Sequence, residues 1–273
     1  MQTPAPLADR TALARNRARA AAAPVTYLHE LARDDLQDRL TMVNRAFTAP
    51  AVISPMPHLW SDILPGVQHV DPAETLPLEL QAHDLVIHAM DLHWASDPVG
   101  QLVQSRRALR PDGLFLGVLF GGRTLHELRE ALGRAEAEVT GGMSPRVAPM
   151  AEIRDLGALL QRAGFALPVA DSLPLTASYP SPLHLMRELR RMGEANALAA
   201  RLRRPTRRQV ILRALELYAR THGDAEGRVP ATFELVVLTG WAPDESQPKP
   251  LRPGSAKARL AEALGSVETP LAD

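Results

Sequence analysis

The chain contains no cysteine among its 273 residues, which excludes a disulfide framework, thiolate metal sites and a cysteine nucleophile together. Lysine is nearly absent as well. Lys249 and Lys257 are the only two, so the 31 basic residues are almost all arginine, and they are matched by 31 acids. A formal net charge of zero supplies no global field that would favour nucleic acid or an anionic membrane. No apolar run approaches the length needed to span a bilayer. The Arg-rich, acid-poor start, "ADRTALARNRARAAAAP", has the look of an organelle transit peptide, but no apolar h-region or small-residue cleavage site follows it. An N-terminal amphipathic helix ended by Pro24 is the stronger reading, and the cytoplasm is the expected location.

What is present is ordinary for a globular protein. With 45% hydrophobic and 23% charged residues, the chain can bury one sizeable core and carry an appended lobe. Alanine, leucine, arginine and proline dominate, which we read as the coding bias of a GC-rich bacterial genome. After Pro24, Leu28, Leu31, Leu36, Leu40 and Val43 fall near helical spacing and predict a second helix ending near Thr48. Strands are predicted at 51–54, 66–70, 83–90 and 114–120, the last two apolar enough to be covered on both faces. Between those two, Asp97 caps a helix with Pro98 at its first position, and Pro111-Asp112-Gly113 is expected to stop it. That is a right-handed βαβ unit.

Further helices are expected in "RTLHELREALGRAEAEV" and "MAEIRDLGALLQRAGF", the latter closed by Gly164. A strand follows at "ALPVADS", then two helices in "SPLHLMRELRRMGEANALAARL" and "PTRRQVILRALELYARTHG", then a strand at 231–241. The last two strands are expected to pair antiparallel. The predicted organisation is an N-terminal helical segment (1–48), an α/β domain (49–242) with a helical lid insertion at about 181–225, and a Pro-rich tail with a short helix (243–273).

The stretch "HDLVIHAMDLHWASDPVGQLVQSRRALRPDGLFLGVLFGG" resembles the class I S-adenosylmethionine (SAM)-dependent methyltransferases. "SPRVAPMAEIRDLGALLQRAGF", "LMRELRRMGEANAL" and "FELVVLTGWAP" are similar to a narrower branch, which contains the biotin-pathway malonyl-carrier-protein methyltransferase and the mitochondrial complex I assembly factor described as an arginine hydroxylase. The resemblance implies a Rossmann-like methyltransferase sheet, SAM as cofactor, and a protein substrate or partner in respiratory-complex assembly. It places the cofactor beside Ser54 at the end of the first strand, Asp71, His88 and Trp94. His93 and Asp91, in the turn after the third predicted strand, become the catalytic candidates, His93 as a proton acceptor.

One expected feature is missing. In this family the first strand runs into a Gly-rich turn, and here "SPMPHLW" stands in its place. The interval from Ala51 to His83 is barely one βαβ unit, roughly 30 residues, so one unit of the N-terminal half is lost. Pro55 and Pro57 supply no N–H groups, and Pro72 occupies the position where an acid is expected. SAM binding is therefore expected to be weak or lost, with Met56, His58, Leu59 and Trp60 packed into the vacated volume. Two functional readings follow: a methyltransferase-family enzyme acting on a protein, or a degenerate, non-catalytic member of the fold that binds and assembles.

Five histidines, His58, His69, His83, His88 and His93, with Asp71 or Asp91, raise the two-His-one-carboxylate iron site of oxygenases. Their spacing matches no fixed ligand motif, and no metal is expected. In "RELRRMGEAN", Gly193 interrupts a helix as a lid hinge does, with Arg190, Glu194 and Asn196 available to a substrate. "RLRRPTRRQ" is a basic cluster without interleaved aromatics, and reads as a solvated helix-end patch in preference to a nucleic-acid site.

Overall fold

The computed structural model describes residues 6–248. Met1–Pro243 forms one compact unit and Asp244–Asp273 a second; the predicted C-terminal helix lies outside the described residues. Two helices come first, α1 (Arg10–Ala20) and α2 (Tyr27–Met42). Asp9 caps α1, its carboxylate accepting from the Ala12 amide. The α2 helix ends earlier than expected, because Val43 is already extended.

A six-stranded sheet follows, built from β1 (Pro50–Ile53), β2 (Gln68–Val70), β3 (His83–Ala89), β4 (Leu109–Phe120), β5 (Ala166–Tyr179) and β6 (Val229–Trp241). Its order is β2-β1-β3-β4-β6-β5. The first four strands are parallel, with Ile53 beside His88 and His88 beside Gly117. β6 enters antiparallel between β4 and β5, as the long excursion between them predicted. Every residue of β1 and β3 is buried, which explains their unbroken apolar runs.

The connecting helices are α3 (Pro98–Ala108), α4 (His126–Thr140), α5 (Ile153–Arg162), α6 (Pro182–Arg191) and α7 (Arg208–His222). Asp97 caps α3 through the Gly100 amide, with Pro98 at its first position. Pro111-Asp112-Gly113 does not stop that helix, however. It ends at Ala108, and β4 begins directly at Leu109 with Asp112 at φ +58°. Two apolar layers form on opposite faces of the sheet. One gathers Leu36, Val52, Ile87, Leu128, Leu217 and Phe233 under α2, α4 and α7. The other joins Ile53, Leu102, Phe115, Leu160 and Leu238 under α3 and α5.

The lid stretch departs from one long helix. α6 stops at Arg191 because Gly193 takes φ +84°, which side chains with a Cβ rarely adopt. Residues 192–207 then run irregularly to α7. A Cβ at Gly193 would also stand 3.1 Å from Arg17 Cγ, so this glycine lets the segment after α6 lie closely against α1.

Candidate functional site

The chain order reverses between β1 and β3, and α/β sheets bind ligands at the carboxyl edge of such a switch point. Beyond β3, Met90 turns the chain with φ +56°, Asp91 follows, and Leu92–Trp94 forms a 3-10 turn. Asp91 is buried. Its Oδ1 lies 2.6 Å from an Arg17 guanidinium nitrogen, and Oδ2 lies 3.7 Å from one of Arg10. Burial pushes the Asp91 carboxyl up, but Arg17, His88 and Arg10 outweigh it and leave its pKa below the usual carboxylate value.

Glu194 connects this turn to the irregular segment after α6. Its Oε2 accepts a hydrogen bond from Trp94 Nε1 at 2.7 Å and lies 3.3 Å from His93 Nε2. Desolvation raises its pKa, while His93, Arg17 and Trp94 overcompensate and lower it, so the carboxylate is held ionised. His93 and Trp94 are themselves buried, and His93 packs edge-on against Phe120 with ring centroids 4.9 Å apart.

Beside this node lies a cavity of about 280 Å³. Its walls include Phe120, Leu128, Met150, Leu189 and Phe233, and Trp94, Arg190, Glu194 and Asn196 also line it. The lid residues suggested by the sequence and Trp94 are thus brought together around one volume. They are not equally available. Asn196 spends its amide nitrogen on the Pro145 carbonyl and its oxygen on the Leu198 amide. Arg190 is exposed and has no side-chain partner among the described residues. Glu194 Oε1 carries no hydrogen bond there either.

The residues assigned to the cofactor do not converge in the same way. The Ser54 hydroxyl accepts from the Met56 amide at 3.2 Å. Asp71 is exposed at the end of β2. His88 lies 3.5 Å from Gln101 Oε1, and Gln101 donates to the Ala73 and Glu74 carbonyls, so His88 braces the loop before β3. Among the described residues, no group of three or more histidine, aspartate or glutamate side chains is arranged to hold a metal ion.

The edge also fits SAM poorly. Pro55 and Pro57 have no amide to offer, and the Leu59 and Trp60 amides are consumed by the carbonyls of Met56 and Pro57. Trp60 is fully buried in the layer with Leu28, Leu36, Val52 and Ile63. Its indole nitrogen has no hydrogen-bond partner among the described residues, the cost of filling this volume with a side chain bearing one polar atom. The backbone donors and open space that a glycine turn provides are replaced here by the packing of Met56 and Trp60, while His58, expected to pack with them, is exposed and Leu59 half-buried.

Arg10 and Arg17 were not legible as site residues, because an arginine-rich helix ordinarily carries its charges in water. α1 instead docks through Asn16 Nδ2 on the Ala195 carbonyl, the Asp9 amide on the Ala197 carbonyl and the Leu7 amide on Ser96 Oγ. His29 on α2, also buried, was likewise missed. Burial pushes its pKa down to about 4 despite the neighbouring Glu194 charge. An unfolded histidine takes up a proton below about pH 6.5. Stability from His29 is therefore complete above pH 6.5 and declines as the pH falls to about 4. At pH 5 the loss is roughly 2 kcal/mol, and His88, lowered by burial too, acts in the same direction. Urea unfolding at pH 7 and 5 should show this difference, and His29→Leu should reduce it; an unchanged pH dependence in the variant would assign it elsewhere.

Comparison with known proteins bears on this arrangement. The chain is 40% identical over 189 residues to "Arginine-hydroxylase NDUFAF5, mitochondrial" of Danio rerio, covering 69% of this chain and 59% of that protein. It is 36% identical over 170 residues to a malonyl-[acyl-carrier protein] O-methyltransferase of Laribacter hongkongensis, covering 62% of this chain and 54% of that protein. The chain is homologous to both. It spans less than two thirds of the length of either relative. No protein-family model matches it. The YcgJ protein of Bacillus subtilis superposes with a TM-score of 0.52 at 12% identity, over 79% of this chain and all of that one, a likeness of fold alone. The expected Rossmann-like α/β sheet is thereby shown. The cytoplasmic location is corrected: the hydroxylase relatives are named mitochondrial and point away from it. Among the described residues, no helix is long and apolar enough to cross a membrane.

Proposed function

We propose that this methyltransferase-family protein takes a cationic side chain of a protein substrate into the cavity beside Glu194, in the setting of respiratory-complex assembly. The observation that carries the reading is the state of Glu194. One carboxylate oxygen is fixed by Trp94 and His93, the other carries no hydrogen bond among the described residues, and the residue forms part of an otherwise largely apolar wall. A guanidinium on an aliphatic stem suits that combination, since its stem packs on the leucines while its planar donors meet the carboxylate. Relatives named arginine-hydroxylase support an arginine over a lysine. His93 stands within reach of the same carboxylate and fixes its orientation.

Binding a short arginine-bearing peptide and its citrulline counterpart tests this by titration calorimetry. Citrulline keeps the shape and removes the charge. The arginine peptide should bind at least about tenfold more tightly, the worth of a charge-assisted hydrogen bond, and Glu194→Gln should abolish the difference. Equal binding of the two peptides by the unaltered protein would sink the proposal.

A second reading, binding without chemistry, is favoured by the packed carboxyl edge of β1. SAM is then held weakly or not at all. Titration with SAM and S-adenosylhomocysteine should give no heat even at millimolar ligand under that reading, whereas ordinary saturable binding would restore the methyl-transfer alternative.

A further inference from the structure

The lid is far more basic than the chain that carries it. Residues 181–225 contain ten arginines against four acids, while the whole chain is neutral. Several of these arginines are spent: Arg201 on Asp9, and Arg213 on Glu138 and Glu216. Arg190, Arg204 and Arg207 are exposed and have no side-chain partner among the described residues.

Their placement follows the surface relief. A second recess, also of about 280 Å³, is lined by Met143, Leu202, Arg204, Pro205, Arg207 and Val210. It shares Arg146 as a common wall with the cavity at Glu194. Arg146 itself is held by Glu136, at 2.6 Å through one nitrogen and 2.9 Å through another. Glu136 accepts from Ser144 as well, and the Arg146 hydrogen bonds, then Ser144, bring its pKa down to about 2. The acid in this wall is therefore already neutralised. The unspent charge along the recess is positive, in a mixed lining where Thr140 and Ser144 stand with Leu202 and Pro205, and Met143 is 76% exposed beside it.

We infer that this recess docks an acidic, aliphatic-containing segment of a protein partner, which runs past Arg146 toward the cavity at Glu194. The inference rests on the proposed protein substrate and adds how that substrate is chosen: by acidic residues flanking the side chain that enters the cavity. Charge complementarity selects the sign of the partner, and the mixed polar and aliphatic lining suits a polypeptide. Nucleic acid is disfavoured because the recess offers no aromatic ring for base stacking. A membrane surface is disfavoured because the guanidinium groups line a concavity. Paired arginines also suit carboxylates through two parallel hydrogen bonds.

The test uses the full chain and a fluorescein-labelled peptide of alternating glutamate and leucine, without arginine, followed by anisotropy. Its binding should weaken steeply between low salt and about 0.5 M, where screening shortens to a few ångströms. Arg204→Glu with Arg207→Glu should weaken it at least about tenfold, as for charges facing each other across an interface. Arg107→Glu with Arg110→Glu, an equal charge change elsewhere on the exposed surface, should leave it within about twofold. Thermal melts of both double variants establish that they are folded, and if the lid pair does not fold, Arg204→Gln alone must still weaken binding severalfold. Equal loss in both pairs, no loss in the lid pair, or preference for an RNA oligomer or phosphatidylserine vesicles over the peptide would each overturn the inference. Because the peptide carries no arginine, it reports on the recess alone. Failure here leaves the Glu194 reading standing, and failure of arginine-over-citrulline discrimination leaves the docking result standing.

Discussion

Trp60→Ala is expected to lower the unfolding free energy by about 3–5 kcal/mol, the range for truncating a fully buried aromatic. Trp60 is 0% exposed and packs between the α2 leucines and β1, so nothing else can refill its volume without moving a helix or the sheet. A denaturant melt decides the matter. A change below about 0.5 kcal/mol, the size typical of a surface substitution, would mean that "SPMPHLW" is a mere connection. The same variant should not gain SAM affinity. Opening the volume leaves Pro55 and Pro57 without donors and the Leu59 and Trp60 amides still engaged in their turn, and a phosphate- or carboxylate-binding loop works through such amides.

Arg17→Met is expected to cost about 3 kcal/mol, as removal of one partner from a buried ion pair generally does. The loss arises mainly from what remains behind, an Asp91 carboxylate that is 3% exposed at the side chain and retains only Arg10 at 3.7 Å. Pairing Arg17→Met with Asp91→Leu should recover most of that loss, because replacing both charges by apolar groups of similar size removes the desolvation penalty. If the double variant is no more stable than Arg17→Met, the two side chains are not energetically coupled. The pH dependence separates the cases further. In the native chain Asp91 has a lowered pKa, so its contribution is present above about pH 4 and fades as the pH falls through the folded value. Without Arg17, burial dominates, the folded pKa rises, and acidification relieves the variant's deficit.

The sheet and its helices were largely legible because their signals are local. Asp97-Pro98 announced the start of α3, Gly164 the end of α5, and the apolar runs of β3 and β4 their burial on both faces. The antiparallel return of β6 followed from the length of the excursion before it. Pro111-Asp112-Gly113 misled because a strand tolerates an irregular start beside β3, where the register shifts between His83 and Leu85. The site was legible only in part. Trp94, Arg190, Glu194 and Asn196 could be grouped by their position after β3 and around a glycine hinge. Which of them keeps a free atom depended on distant partners, such as Pro145 for Asn196. Arg17 and His29 gave no signal at all, since an arginine on a short helix and a histidine among leucines are ordinary until another part of the chain buries them.

The ties of α1 span nearly the whole chain: Asp9 meets Arg201 across 192 positions, and Asn16 meets Ala195 across 179. The loops these ties close are long, and the entropy of closing them grows only slowly with length. The Asn16–Ala195 and Asp9–Arg201 ties, with Gly193 seated against α1, hold the first helix over the carboxyl edge of the parallel strands. The first helix is thus anchored by the segment after α6 and not by its neighbours in sequence.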